Sequence, residues 1–128
     1  MTKPLLLDSD VLIDYLRQRP QVTAYLEALT AAPVLSAITV AELFSGVRDG
    51  QERTLLEALV ASVQILSVEE QVATQAGLTR RQYWTSHRLA LPDVLIAATA
   101  LVHNATLVTL NAKHFPMLPD VLVPYQKP

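Results

Sequence analysis

The stretch PLLLDSDVLIDYL, residues 4–16, decides how this chain folds. Three leucines, 5 to 7, form an apolar run without polar alternation, which predicts a strand buried on both faces. The run stops at Asp8. From Ser9 or Asp10 the pattern VLIDYL takes helical spacing, with a polar start able to cap and acids in the first turn. A doubly buried strand passing straight into a helix is the opening of a parallel α/β layer. The rest of the chain repeats the theme. Pro20 opens a helix over QVTAYLEAL, with Val22, Tyr25, Leu26 and Leu29 at helical spacing. Pro33 leads a short strand, VLS, and ITVAELFSGV follows as a helix ending near Gly46. Residues 51–62 place Leu55, Leu56, Leu59 and Val60 on one helical face. VQIL, 63–66, predicts a third strand, and 68–85 a long helix in spite of Gly77. Pro92 fits a first helical turn, and DVLIAATALVH continues it almost wholly apolar. TLVTL, 106–110, is a β-branched strand, and VLV between Pro119 and Pro124 an edge strand. The expectation is a single α/β domain over 1–128, a mainly parallel sheet of about four or five strands between helical layers.

Composition agrees and excludes several classes. Of 128 residues, 51% are apolar and 17% charged, enough to build a core and too apolar for disorder. The longest apolar stretch, LALPDVLIAATALV, is broken by Pro92 and Asp93 and falls short of the roughly 18 to 20 residues of a membrane helix. MTKPLLLDSDVLID lacks the shape of a signal peptide, so a soluble cytoplasmic protein with no membrane partner is expected. The absence of cysteine removes disulfides, thiolate zinc sites and cysteine nucleophiles. Ten cations against twelve acids, net −2, argue against a broad basic platform for nucleic acid. Arginines 17, 19, 48, 53, 80, 81 and 88 nevertheless leave room for a narrow site with forked phosphate contacts.

Three acids stand in apolar company: Asp8 after LLL, Glu42 in ITVAELF and Asp93 in LALPDVLIAA. Alone, each has an ordinary explanation: a helix cap, an outward-facing helix residue, a first-turn acid. Together they fall at the end of one strand and in early helical turns, positions that share one edge of a parallel sheet. They are too far apart in sequence for local pairing, so only the fold can gather them. Converging carboxylates without a lysine or arginine in their motifs repel, and a divalent cation relieves that repulsion. Oxygen-only ligands suit Mg²⁺ or Mn²⁺, which polarise a phosphodiester and activate water. Asp10, on the opening helical turn, is either a helix acid or a further ligand. Thr109, Asn111 and His114 follow a strand and turn toward the same edge. Asp14, four residues beyond Asp10, reads as a solvated helix charge.

The motifs DSDVLIDYL, ITVAELFSG, LALPDVLIAATAL and LVTLNAKHF, in this order over about residues 5 to 115, resemble the PIN-domain family. More closely they are similar to its VapC-type toxin ribonucleases. The resemblance implies a small three-layer fold with acids at one sheet edge. It implies metal-dependent cleavage of RNA to 5′-phosphate and 3′-hydroxyl products, restraint by a cognate VapB-type antitoxin, and a homodimer. Asp8, Glu42 and Asp93 match the family's core acids, Asp8 and Asp93 as metal ligands and Glu42 as ligand or base. Ser9, Thr109 and Asn111 take supporting or phosphate-contacting places, and Arg17, Arg48 and Arg88 flank the motifs as guides for RNA. Two positions depart from the pattern. His114 stands where many relatives carry a fourth Asp, which puts a second metal in doubt and leaves histidine to contact a phosphate or donate a proton. Asp8-Ser9-Asp10 replaces the commoner Asp-Thr-Asn opening, keeping the hydroxyl and adding a carboxylate.

Other readings fit less well. LLLDSDVL also suits the Asp-x-Asp opening of a haloacid-dehalogenase-like phosphatase, but Lys113 is the only interior lysine and no paired acids follow residue 70. A receiver-type phosphoacceptor needs an Asp after the central strand, where VQIL is followed by Ser67. The alternative within the fold is a degenerate module that binds antitoxin or RNA without cutting.

Overall fold

A computed structural model describes residues 3–126, so the outermost two residues at each end of the expected 1–128 domain lie outside the described residues. The first leucines form β1 (Leu5–Leu7), followed by α1 (Ser9–Leu16) and α2 (Pro20–Glu27). β2 (Val34–Ser36) leads to α3 (Ala37–Gly46) and α4 (Gln51–Ser62), and β3 (Gln64–Leu66) to α5 (Glu70–Tyr83) and α6 (Leu91–Val102). β4 (Thr106–Val108), a 3₁₀ turn (Ala112–His114) and β5 (Val121–Leu122) complete the described chain. All pairings are parallel, in the order β3-β2-β1-β4-β5. The expected parallel three-layer α/β fold is therefore present, with five strands.

Alternation along each strand sorts the core into two faces. Leu6, Val34 and Leu107 point to one side, against Ile96, Ala97 and Ala100 of α6 and Phe115. Leu7, Leu35 and Val108 point to the other, against Val11, Leu12 and Leu16 of α1, Val22 of α2, Leu43 of α3 and Leu56 of α4. Strands covered on both faces need no polar alternation, which is why LLL and VLS read as unbroken apolar runs. A third cluster, Val72, Ala76, Leu89, Val94 and Ala98, joins α5 to α6.

The strand order fixes where a site can form. From β1 the chain builds outward through β2 and β3, then returns to lay β4 on the other side of β1. The connections diverge at the carboxyl ends of β1 and β4, which opens a crevice there. α3 starts at that edge because it follows β2; α6 starts there because it runs back toward the beginning of β4.

Some boundaries differ from the sequence reading for physical reasons. TLVTL gives only three strand residues: Thr109 N still donates to the Leu122 carbonyl, at 3.0 Å, but Leu110 N is taken by the Asp10 carboxylate. The 68–85 helix is Glu70–Tyr83, and VLV contributes two residues to the sheet edge. Asp14 requires a correction. It is 1% exposed, not solvated: Tyr125 OH donates to its Oδ2 at 2.9 Å and the Arg19 guanidinium lies 3.5 Å from Oδ1. Burial, and then this bond to Asp14, push the Tyr125 phenol above its ordinary range. Tyr125→Phe removes one charge-assisted hydrogen bond to a buried carboxylate, an expected loss of about 1.5–3 kcal/mol. Thermal unfolding checks it; an unchanged midpoint would show that water replaces the phenol.

Candidate active site

The crevice collects the acids that the sequence singled out. Asp8 ends β1, only 7% exposed, and caps α1: its Oδ1 accepts from Ser9 N at 2.8 Å. Its other oxygen accepts from Thr109 OH at 2.8 Å, and Asp8 N donates to the Val108 carbonyl at 2.9 Å. Asp8 is thus fixed between β1 and β4, with lone pairs still open on both oxygens. Burial raises its pKa from 3.8 to about 6, with the Asp10 charge the next cause and Asp93 a smaller one; the bonds from Thr109 and Ser9 oppose the rise.

Asp10 ties the crevice together. Its Oδ1 accepts from Val11 N at 2.7 Å, and its Oδ2 from Leu110 N at 3.0 Å and Asn111 Nδ2 at 2.9 Å. Thr109 Oγ1 lies 3.2 Å from the same oxygen, but its single proton is better placed toward Asp8. Thr109 Oγ1 in turn accepts from Asn111 N at 3.1 Å. Thr109 and Asn111 therefore belong to the site as holders of Asp8 and Asp10. The sequence reading gave both a supporting or phosphate-contacting place; which carboxylates they hold was not legible, because the two ends lie about a hundred residues apart.

Glu42 and Asp93 approach from the helices. Glu42 lies in the second turn of α3, on the solvent-facing rim; partial enclosure of its carboxyl, then the Asp93 charge, raise its pKa, while a side-chain hydrogen bond with Ser9 opposes them. Asp93 lies in the first turn of α6, where burial raises its pKa, His114 lowers it, and Asp10 raises it. His114 Nδ1 stands 3.9 Å from Asp93 Oδ2, with the imidazole half exposed. Among the described residues no lysine or arginine pairs with Asp8, Asp10, Glu42 or Asp93, and no three acids or histidines already close around an ion. What the four acids share is a common field: each raised pKa above includes repulsion from at least one of the others.

The flanking arginines divide. Arg17 lines a groove of about 210 Å³ beside Glu42, with Ile13, Leu16, Leu43, Val47 and Glu52. Arg48 is engaged by Glu52, through its backbone N–H at 3.1 Å and its guanidinium at 4.0 Å. Arg88 lies over the Trp84 ring, 4.6 Å from its centroid.

Acids gathered at a topological switch point are matched by the sequence as a whole, which fits the PIN-domain profile over residues 5–118. The chain belongs to the PIN-domain family. Among its PIN-domain relatives, the chain is 39% identical to ribonuclease VapC19 of Mycobacterium tuberculosis over 124 residues, covering 94% of this chain and 98% of that one. It is also 39% identical to ribonuclease VapC10 of the same organism over 127 residues, covering 97% and 95%. A solved toxin–antitoxin complex from Klebsiella pneumoniae contains a chain with the same PIN fold, at a TM-score of 0.81 and 32% identity, covering 96% of this chain and 99% of its counterpart. Among the described residues no helix is long and apolar enough to cross a membrane.

Proposed function

We propose that this PIN-domain chain is a divalent-metal-dependent endoribonuclease, acting as the toxin of a toxin–antitoxin pair in the cytoplasm. The observation that carries the reading is the convergence of Asp8, Asp10, Glu42 and Asp93 in one crevice, where the carboxyls of Asp8, Glu42 and Asp93 are pushed above their ordinary range and no lysine or arginine pairs with any of the four among the described residues. The ribonuclease names of the Mycobacterium relatives support it.

The donor set fits Mg²⁺ or Mn²⁺. It is made of carboxylate oxygens, Asp8 keeps open lone pairs beside its two hydrogen bonds, and the acids' mutual repulsion favours a dication between them. Asp8 and Asp93 would hold the ion, with Glu42 as a third ligand or the base. Asp10 has Oδ2 filled by backbone and amide donors, so its charge supports the site while its oxygens shape it. A bound dication supplies polarisation of the phosphoryl group, activation of water and stabilisation of the leaving 3′ oxygen. Glu42, on the rim with its carboxyl held by Ser9, accepts the proton of the attacking water. His114, beside Asp93 and half open to solvent, faces the phosphate in place of a fourth acid. In-line attack of water with departure of the 3′ oxygen leaves 5′-phosphate and 3′-hydroxyl ends.

The Klebsiella structure is a toxin–antitoxin complex, and the groove beside Glu42 offers an antitoxin segment of VapB type a seat next to the acids. Exposed Ile13 and Phe44 extend the apolar surface nearby. A homodimer completes the proposed assembly.

Total cellular RNA, incubated with antitoxin-free protein, tests the reading. Cuts are expected with Mn²⁺ or Mg²⁺, none with EDTA, and none from Asp93→Asn. Cuts that survive EDTA would overturn the metal mechanism. A folded wild type that loads metal but cuts no RNA would favour the second reading, a module that binds without cleaving.

A further inference from the structure

Residues 71–92 carry Arg80, Arg81, His87 and Arg88 but no acid, in a chain of net charge −2. The fold gathers this charge around Trp84, directly after α5. The Arg80 guanidinium lies 4.8 Å from the Trp84 ring centroid and that of Arg88 4.6 Å, both within the ~6 Å range of cation–π attraction. Arg80 is also anchored, its Nε donating to the Leu89 carbonyl at 3.0 Å. That bond ties α5 to the segment entering α6. Gly77, Arg80, Arg81, Trp84 and Leu91 line an open pocket of about 270 Å³ with no carboxylate in its wall. Trp84 is 40% exposed, Leu91 50% and neighbouring Leu78 57%.

This surface abuts the candidate active site. Leu91 and Asp93 share the first turn of α6, and two residues of helix place them roughly 200° apart around its axis. The pocket and the acids therefore flank one helix end, separated by about a helix diameter, ~10 Å.

We propose that this pocket is a subsite for single-stranded RNA, with a base stacked on the Trp84–arginine assembly and Arg81 and Arg88 on flanking phosphates. From there the strand crosses the start of α6 to the acids. The proposal rests on the ribonuclease reading above. Exposed aromatic surface beside guanidinium groups, that of Arg80 anchored, is what an unpaired nucleotide requires: a π face for the base and forked donors for the phosphate. A second copy of this surface fits less well. Pairing the patch with itself would set three arginines against the same three, with no acid in 71–92 to answer them.

Trp84 is the only tryptophan of the chain, so its fluorescence reports directly on stacking. The probe is a single-stranded RNA oligonucleotide of mixed sequence, titrated into the Asp93→Asn protein so that it stays intact. Saturable quenching of Trp84 is expected. By anisotropy, Trp84→Ala should weaken binding roughly ten-fold and Trp84→Phe much less. Arg88→Ala, at an exposed position, should lower the slope of log K against log salt by about 0.7. RNA that binds without quenching, or binds Trp84→Ala as tightly as its parent, would overturn the subsite while the ribonuclease reading stands. Sedimentation showing that Trp84→Ala splits a dimer while RNA affinity holds would also overturn it, assigning the patch to a second copy. Failure of wild type to cut RNA with Mn²⁺, together with no RNA bound by Asp93→Asn, would instead remove the ribonuclease reading beneath it.

Discussion

Asp8→Asn is expected to lower metal-dependent RNA cleavage by roughly a thousand-fold or more, since a metal held at the phosphate supplies several kcal/mol. The same change should stabilise the metal-free protein. Folding places Asp8 where its pKa is about 6 instead of 3.8, so at neutral pH the native state carries a charge that burial and Asp10 oppose. The sign follows: between those values the folded chain holds more protons than the unfolded one, and stability rises as pH falls from 7 toward 4. The displacement corresponds to about 3 kcal/mol at pH 7. Asparagine removes the charge and keeps the contacts. Its oxygen can accept from Ser9 N, and its amide can donate to Thr109 Oγ1, whose proton then turns to Asp10 Oδ2 at 3.2 Å. Thermal unfolding in EDTA from pH 7 to pH 5 checks this. Wild type should gain stability along that range and the variant much less. A variant that still cuts would take Asp8 out of the chemistry; one less stable than wild type at pH 7 would show that capping outweighs repulsion.

The second large effect is expected at Phe115, which is 2% exposed and packs with Leu107 of β4 and Ile96, Ala97 and Ala100 of α6. Phe115→Ala should cost about 3–5 kcal/mol through lost burial and the cavity left behind. Against a typical total of about 5–15 kcal/mol, that leaves a marginal fold. Phe115 also ends the turn that carries His114: Phe115 N donates to the Ala112 carbonyl and His114 N to that of Asn111, both at 3.0 Å. Cleavage should therefore fall well below what loss of folded protein explains. Urea unfolding and activity per folded molecule separate the two losses. Phe115→Leu should restore most of both, and full activity per folded molecule in Phe115→Ala would make the side chain purely a core residue.

The apolar runs at residues 5–7 and 34–36 were legible because central parallel strands are dry on both faces. Periodicity sufficed for the helices, whose amphipathic faces meet that sheet. Asp8, Glu42 and Asp93 were legible as a set: each alone has an ordinary explanation, but a strand end and two early helical turns share one edge of a parallel sheet. Asp14 was misread because helical spacing alone put it near Asp10, while its partner Tyr125 lies 111 residues away. The same distance problem hid the work of Asp10. A sequence shows an acid in a first helical turn; it does not show the backbone N–H of Leu110 and the amide of Asn111 arriving on it. Arginines chosen for flanking the motifs proved heterogeneous, since nothing local predicts that Arg48 meets Glu52 while Arg88 lies on Trp84.

The clamp from Asp10 to residues 109–111 also orders events in time. A ribosome adds about 5–20 residues per second, so β1 and its acids are made about 5–20 s before the turn that fixes them. Throughout that interval β1 lacks the β4 partner on one flank, and Asp8 lacks both Thr109 and the Val108 carbonyl. The acids of a chain still being made therefore wait without the contacts that hold them, and a chain stopped anywhere before Thr109 would never gain them.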